Sequence, residues 1–138
     1  MKATTRLPTI IMAVALCHLT AVNVRGEDID SMPPVVVKTS PQAGDTAVDP
    51  ALNEIRVTFS KDMQADRMWS VVQVSKESFP EVNGQIHYLV DKRTCVIPVK
   101  LQPGKTYVLW FNRGKFDSFR DTNNNPSVPY LLVFETRK

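Results

Sequence analysis

The sequence predicts an all-β protein, a β-sandwich of about seven strands in two antiparallel sheets with Greek-key connections. Three observations lead to this fold class. Short apolar runs recur along the chain, and turn-forming residues separate them at intervals of about 8–12 residues. No stretch has the apolar spacing of an amphipathic helix. Finally, a turn at Pro103 and Gly104 precedes Tyr107 with the spacing of a tyrosine corner, in which the hydroxyl bonds nearby upstream backbone.

Residues 1–26 have the features of a secretory signal peptide. A basic start is followed by an apolar run, and small residues at Ala21 and Gly26 offer two cleavage positions. The run is shorter than the roughly 20 residues of a membrane span, so we expect no membrane insertion after cleavage. Retention as an uncleaved anchor is the alternative. The protein is therefore predicted to be secreted, or periplasmic and in the cell envelope.

The net positive charge of the chain comes from the same segment. The sequence has 17 basic and 14 acidic residues. Lys2, Arg6 and Arg25 precede residue 27 and no acidic residue does, so the rest of the chain has as many bases as acids. A formally neutral domain gives no reason to expect a nucleic-acid partner.

The remaining chain divides into a flexible leader at residues 27–32, which is acidic and polar, and one domain at residues 33–138. Two prolines end the leader, and a first short strand of valines follows at 35–37. Because proline cannot donate to a sheet ladder, its position here indicates a strand at a sheet edge.

The clearest strand covers residues 55–60, where apolar and polar residues alternate with a period of two. A β-rich run at 68–74 forms the next strand. Trp69 within it is predicted to lie in the core, as the tryptophan of such a sandwich often does. The polar stretch at 75–83 contains a proline and is predicted to be a loop.

Two strands follow at residues 84–90 and 94–99, joined by a tight turn. Pro98 lies within the second of them and indicates an edge position or a bulge. The last two strands are predicted at 107–111 and 130–136. The residues expected to build the corner between 94–99 and 107–111 are Leu101, Pro103, Gly104 and Tyr107.

Several of these segments occur together in a recognisable order. They are SPQAG at 40–44, VDP at 48–50, IRVTFSKDM at 55–63, LQPGKTY at 101–107, DTNNNP at 121–126 and FET at 134–136. Their order and spacing resemble the bacterial Ig-like domain of the S-layer (SbsA) type, over nearly all of the chain after the leader. The resemblance implies an Ig-like sandwich that acts as a spacer or accessory module of exported proteins, with no catalytic residue and no cofactor.

A calcium site is one alternative, because Asp121, Asn123 and Asn125 follow the Asp-x-Asn-x-Asn pattern that begins an EF-hand loop. However, Pro126 and Leu132 stand where that loop requires glycine and a bidentate glutamate. A turn in which these side chains bond their own backbone explains the segment better, so no metal ligand is assigned.

A copper site is a second alternative, since the chain is also similar to periplasmic copper-binding sandwiches of the CopC type. Those proteins rely on histidines, and His87 is the one histidine that follows the signal peptide. Catalysis by His87 with Cys95 is not expected either. Cys95 precedes Val96 and Ile97, and an apolar surrounding disfavours its thiolate.

The long polar loop at residues 112–129 is the best candidate for a contact surface, because loops of this length are uncommon unless they are functional or disordered. Aromatic residues and arginine are enriched at protein interfaces. The predicted interaction residues are Arg113, Lys115, Phe116, Phe119 and Arg120. The competing interpretation is that Phe116 and Phe119 fold back to close the end of the sandwich.

These observations predict an exported, non-enzymatic, monomeric domain that acts as a structural or protein-interaction module of the cell envelope. Its expected partner is another envelope or secreted protein. Two alternatives stay open: a periplasmic metal-binding sandwich, and an accessory domain that docks on an exported enzyme.

Overall fold

Eight strands are present in the structure, a computed structural model that describes residues 26–138. Residues 1–25 of the predicted signal peptide lie outside the described residues. The strands are β1 Val36–Ser40, β2 Glu54–Phe59, β3 Val71–Gln73, β4 Glu81–Val82, β5 His87–Tyr88, β6 Thr94–Lys100, β7 Thr106–Phe111 and β8 Tyr130–Glu135. Within residues 26–138 there is no helix that is long and apolar enough to span a membrane.

The strands pair antiparallel in two sheets. The larger sheet has the order β1-β2-β6-β4, and β5 pairs with β6 as well. The smaller sheet has the order β3-β7-β8. The chain passes between the sheets after β2, after β3 and after β6, which is the Greek-key connectivity of an Ig-like sandwich. The predicted fold class is confirmed.

Alternating side chains along the strands form the core between the two sheets. In β2, Ile55, Val57 and Phe59 are buried while Arg56 and Thr58 point outward. Complete burial of one such apolar side chain contributes about 1.5–3 kcal/mol to folding, so the period of two in the sequence determines which face of the strand turns inward. The same alternation buries Tyr107, Leu109, Phe111, Leu132 and Phe134 in β7 and β8.

Pro98 lies in β6, which is a central strand with neighbours on both sides, so the predicted edge position is wrong. Its carbonyl accepts the N–H of Asn83 at 2.9 Å, which shows that its nitrogen also faces the β4 and β5 side. Regular pairing is interrupted there between β4 and β5. Because no strand residue pairs with Pro98 on that side, the missing N–H of proline leaves no carbonyl of a neighbouring strand without a donor. Gly84 passes so close that a Cβ on it would lie 3.0 Å from the Pro98 side chain.

Strand β4 lies within residues 75–83, which are predicted to be a loop because they lack any apolar alternation. It has two residues, and its register partners are Val99 and Lys100 in β6. Trp69 also differs from its predicted position, since it precedes β3 and packs half-buried against the core. The carbonyl of Met68 accepts the Tyr88 hydroxyl instead of a strand partner, so regular pairing begins only at Val71.

Residues 27–32, predicted to be a flexible leader, form a turn that contacts the domain. The Asp28 carboxylate accepts the N–H of Ser31 at 2.7 Å, and this bond holds the pKa of Asp28 below its ordinary value. The carbonyl of Asp30 accepts hydrogen bonds from Lys61 and from Asn125. The leader is therefore part of the folded unit.

Candidate functional site

The connection between β6 and β7 is closed by the predicted tyrosine corner. The N–H of Gln102 donates to the Tyr107 hydroxyl oxygen at 2.8 Å, and the tyrosine ring is buried against Phe134. Leu101 is buried at the start of the corner, and Gly104 has a φ of 63°, a left-handed conformation that suits glycine. Pro103 lies beside Gly104 in the turn of this corner.

Thr136, just after β8, secures the same connection from the other side. Its hydroxyl donates to the carbonyl of Gln102 at 2.6 Å and accepts the N–H of Lys105 at 3.0 Å. Thr136 is buried, so both bonds are shielded from water. The segment FET belonged to the predicted family pattern, but its contact with the corner could not be derived from its position in the sequence.

Asn112 organises the long loop that follows β7. Its side-chain amide donates to the carbonyls of Phe119 and Ser127, at 3.0 and 3.1 Å, and its oxygen accepts the N–H of Phe119 at 3.0 Å. Its backbone has a φ of 58°, which asparagine tolerates better than most residues. One buried amide therefore connects three parts of the loop.

Phe119 lies in the core, so its inclusion in an accessible contact surface is corrected here. Its side chain is completely buried, with its ring 5.0 Å from that of Phe59 and 5.9 Å from that of Phe111. Phe116, by contrast, is 52% exposed. Burial of a second phenylalanine would require the short turn that contains Phe116 to fold inward, and that turn is hydrogen-bonded to itself.

The tip of the loop is a tight turn from Arg113 to Phe116. The N–H of Arg113 donates to the carbonyl of Phe116 at 2.8 Å, and the reverse bond is 3.0 Å long. Gly114 has a φ of 57°, as a two-residue connection requires at its first central position. The exposed turn is thus closed by two backbone hydrogen bonds of its own.

Cations lie over aromatic rings at this tip. The Arg113 guanidinium is 5.3 Å from the centre of the Trp110 ring, and the Lys115 ammonium is 5.4 Å from the centre of the Phe116 ring. Such contacts contribute about 0.5–1 kcal/mol at exposed sites. We call Trp110, Arg113, Lys115 and Phe116 the turn surface.

Trp110 points to the outer face of the smaller sheet, because Leu109 and Phe111 on either side of it point into the core. It is in register with Val72 of β3 and Leu131 of β8, and Leu131 is 39% exposed. The turn surface therefore adjoins an apolar strip across this sheet. The alternation of apolar residues in β7 already indicates that Trp110 and its two neighbours face opposite sides of the sheet.

Arg120, the last predicted interaction residue, is engaged within the loop. Its guanidinium donates to the Asp117 carboxylate and to the carbonyl of Asn124. The side chain is about three-quarters buried. Of the predicted interaction residues, the structure leaves Arg113, Lys115 and Phe116 on the surface.

The carboxylate of Asp121 is buried and bonded by its own turn. It accepts the N–H groups of Asn123 and Asn125 and the side chains of Asn125 and Lys61. Burial alone would raise the pKa of Asp121, but the bonds from Lys61 and Asn125 outweigh it and hold the pKa below its ordinary value. Lys61 also donates to the carbonyl of Met32 at 2.8 Å. This site neutralises its carboxylate with an ammonium group, and within residues 26–138 no cluster of three metal-binding side chains occurs.

His87 and Cys95 lie on neighbouring strands but on opposite faces of the sheet. Cys95 is in register with Tyr88, and His87 is in register with Val96, so their side chains alternate. Burial raises the pKa of the Cys95 thiol to about 12. Burial also raises the pKa of Tyr88. The geometry does not bring a nucleophile and a base together at this position.

Solved structures similar to this chain come from the surface layer protein SbsC. They are a structure of domains 1–6 (16% identity, TM-score 0.49), a crystal structure of rSbsC(31-844) (18%, 0.48) and a crystal structure of the N-terminal part of this bacterial S-layer protein (18%, 0.49). Each alignment covers 78% of this chain. The chain spans 14%, 14% and 24% of the respective SbsC chains.

A comparison with curated proteins finds no match. A family model described as "Bacterial Ig-like domain" matches residues 30–136, which include every strand of the sandwich as well as the Asp30 carbonyl that receives Lys61. The chain is therefore a member of the bacterial Ig-like domain family.

Proposed function

We propose that this chain is an exported, non-enzymatic Ig-like domain that serves as a protein-interaction module of the cell envelope, with the turn surface as its contact site. The observation that supports the proposal is the pairing of two surface aromatic rings with two cations at the tip of an ordered loop. Aromatic residues and arginine account for most of the binding free energy at many protein interfaces. The expected partner is another envelope or secreted protein.

The order of the loop favours binding because little conformational entropy is lost when a partner docks on it. Asn112 fixes the base of the loop from inside, and the paired bonds between Arg113 and Phe116 fix its tip. The loop is anchored further by Phe119, whose ring fills the core. The contact site is therefore preformed in the free protein.

The proposal that the domain is not an enzyme rests on the burial, ion pairing and pKa of titratable groups in the described domain. The Asp121 carboxylate is buried and paired with Lys61, and the Asp117 carboxylate is paired with Arg120. Cys95 is a buried thiol with a raised pKa. A catalytic nucleophile or base needs access to substrate and a pKa near the working pH, and these groups do not meet both conditions.

Site-specific photocrosslinking in the exporting organism tests the contact site. A photoreactive phenylalanine analogue replaces Phe116 in one variant and Val90, which is apolar and 99% exposed, in the control variant. We expect one partner protein to be crosslinked at position 116, not at position 90, and less of it when Arg113→Ala is added. Identical adducts at both positions, or none at position 116, would contradict the proposal.

Export is tested by the intact mass of the protein recovered from the envelope and the medium. Cleavage at either predicted position gives a chain that begins at Val22 or Glu27. A chain that keeps residue 1 and stays with the cytoplasmic fraction would refute export without bearing on the contact site.

A further inference from the structure

A cleft with an excess of positive charge lies away from the turn surface, where the end of β3 and strand β4 face the β6–β7 connection. Its volume is about 370 Å³, and it is lined by polar and charged side chains together with Phe79, Pro80 and the buried ring of Tyr107. The polar lining consists of Gln73, Lys76, Glu81, Lys100, Gln102 and Lys105.

Three ammonium groups and one carboxylate surround this cleft, so its net formal charge is +2. No carboxylate of residues 26–138 lies within ion-pair distance of Lys76, Lys100 or Lys105. Glu81 is in register with Lys100 across β4 and β6, yet the two side chains do not form an ion pair. Like charges that line one cleft repel each other, and salt screens this repulsion only over distances of about 8 Å or more. An anion would relieve that repulsion.

Two of the lining side chains extend from the hydrogen-bonded connection between β6 and β7. Gln102 is bonded through its N–H to Tyr107 and through its carbonyl to Thr136. Lys105 is bonded to Thr136 through its N–H, and its ammonium lies 5.3 Å from the centre of the Tyr107 ring. The site is therefore supported by a second layer of buried contacts, as preformed binding sites usually are.

Hydrogen-bond donors outnumber acceptors in the cleft. The ammonium groups donate only, and the side-chain amides of Gln73 and Gln102 have no partner among the described residues. The Tyr107 hydroxyl accepts a bond from Gln102, and no acceptor for its own proton occurs within residues 26–138. Gln73, Lys76, Lys100 and Gln102 are exposed, so a ligand rich in oxygen acceptors would bond donors that otherwise face solvent.

We propose that this cleft binds an anionic saccharide, a sugar residue that bears a carboxylate or a phosphate group. The ammonium groups of Lys76, Lys100 and Lys105 pair with the acidic group, and the amides of Gln73 and Gln102 bond the sugar hydroxyls. The volume lies in the usual range of about 300–1,000 Å³ for small-ligand sites. Because the lining is mainly polar, it fits a hydroxylated ligand better than the apolar side chains of a peptide.

Titrations followed by amide NMR of the exported protein test this site with four probes: trigalacturonate, glucose 6-phosphate, glucose and triglutamate. We expect one or both of the anionic sugars to shift the amide signals of Gln102 and Lys105. Binding of trigalacturonate alone identifies a carboxylate ligand, and binding of glucose 6-phosphate alone identifies a phosphate ligand. Equal binding of glucose, tighter binding of triglutamate, or no shift with either anionic sugar would overturn the proposal.

Two sets of variants locate the binding in the cleft. Lys76→Gln/Lys100→Gln should weaken binding by about tenfold or more, because two of the three ammonium groups that pair with the acidic group are lost. The control Lys38→Gln/Lys92→Gln makes the same charge change at two exposed lysines outside both the cleft and the turn surface, and it should change the Kd by less than about twofold. Glu81→Gln removes the single carboxylate of the cleft and should strengthen binding, a result that misfolding cannot produce. Equal weakening by both double variants, or no gain with Glu81→Gln, would refute the site.

Discussion

Tyr107 and Thr136 bond the same short stretch of backbone from opposite sides. The tyrosine hydroxyl receives the N–H of Gln102, and the threonine hydroxyl bonds the carbonyl of Gln102 and the N–H of Lys105. Both backbone polar groups of Gln102 are thereby satisfied by buried side chains. A backbone group that is buried without a hydrogen-bond partner lowers the stability of the fold. Loss of either hydroxyl would therefore cost the hydrogen bond itself and also leave a backbone group unpaired.

Tyr107→Phe should lower the free energy of unfolding by about 1–3 kcal/mol, because the N–H of Gln102 loses its acceptor in a partly buried position. Urea denaturation of the purified protein measures this loss. Tyr130→Phe is the matched control, since Tyr130 stacks on Phe111 and its hydroxyl has no hydrogen-bond partner in the described chain. A loss no greater than that of the control would show that the corner hydroxyl is unimportant.

At the scale of elements, the loop after β7 combines a buried base with an exposed tip. Asn112 and Phe119 turn inward, whereas Arg113, Lys115 and Phe116 remain at the surface. The buried part determines where the exposed part lies, so the contact site depends on side chains that a partner never touches.

Asn112→Gly should lower the free energy of unfolding by about 3 kcal/mol, because the N–H of Phe119 and the carbonyl of Ser127 both lose their partner. Glycine accommodates the left-handed backbone without strain, and its extra conformational entropy in the unfolded chain is subtracted with a second glycine variant. Asn124→Gly is the control, as Asn124 has a φ of 68° and an exposed side chain, and it should cost less than about 1 kcal/mol. Faster hydrogen exchange at Phe119 is expected in the first variant, and similar losses in both would refute the role of Asn112.

The strands that a sequence pattern can predict are those with one buried face. β2 and β7 alternate because one side of each faces the core, and each extra buried residue strengthens the pattern. β4 has two exposed residues, and its pairing depends on β6, which no local pattern reveals. The sequence also does not tell which of the two phenylalanines of the loop is buried. Phe119 lies in the core because its backbone is hydrogen-bonded to the Asn112 side chain. The formation of β4 and the burial of Phe119 therefore depend on tertiary contacts.

At the scale of the whole molecule, the leader and the far loop meet at one side chain. Lys61 follows β2 and donates to the carbonyls of Asp30 and Met32 as well as to the Asp121 carboxylate. Its side chain is 12% exposed, so its charge is largely withdrawn from water and depends on these partners. The folded unit therefore extends to the leader, in agreement with the family match that begins at residue 30.

Deletion of residues 27–33 should lower the free energy of unfolding by about 2 kcal/mol relative to a chain that begins at residue 27, because Lys61 loses two carbonyl acceptors. The deletion is repeated in the Lys61→Gln background to isolate this contact. If the ammonium bonds connect the leader to the domain, the deletion should cost much less there, since the two changes remove the same interaction. Chemical denaturation of the four proteins supplies the measurement. An equal cost in both backgrounds would mean that the leader stabilises the domain through other contacts, or that its turn does not dock on Lys61.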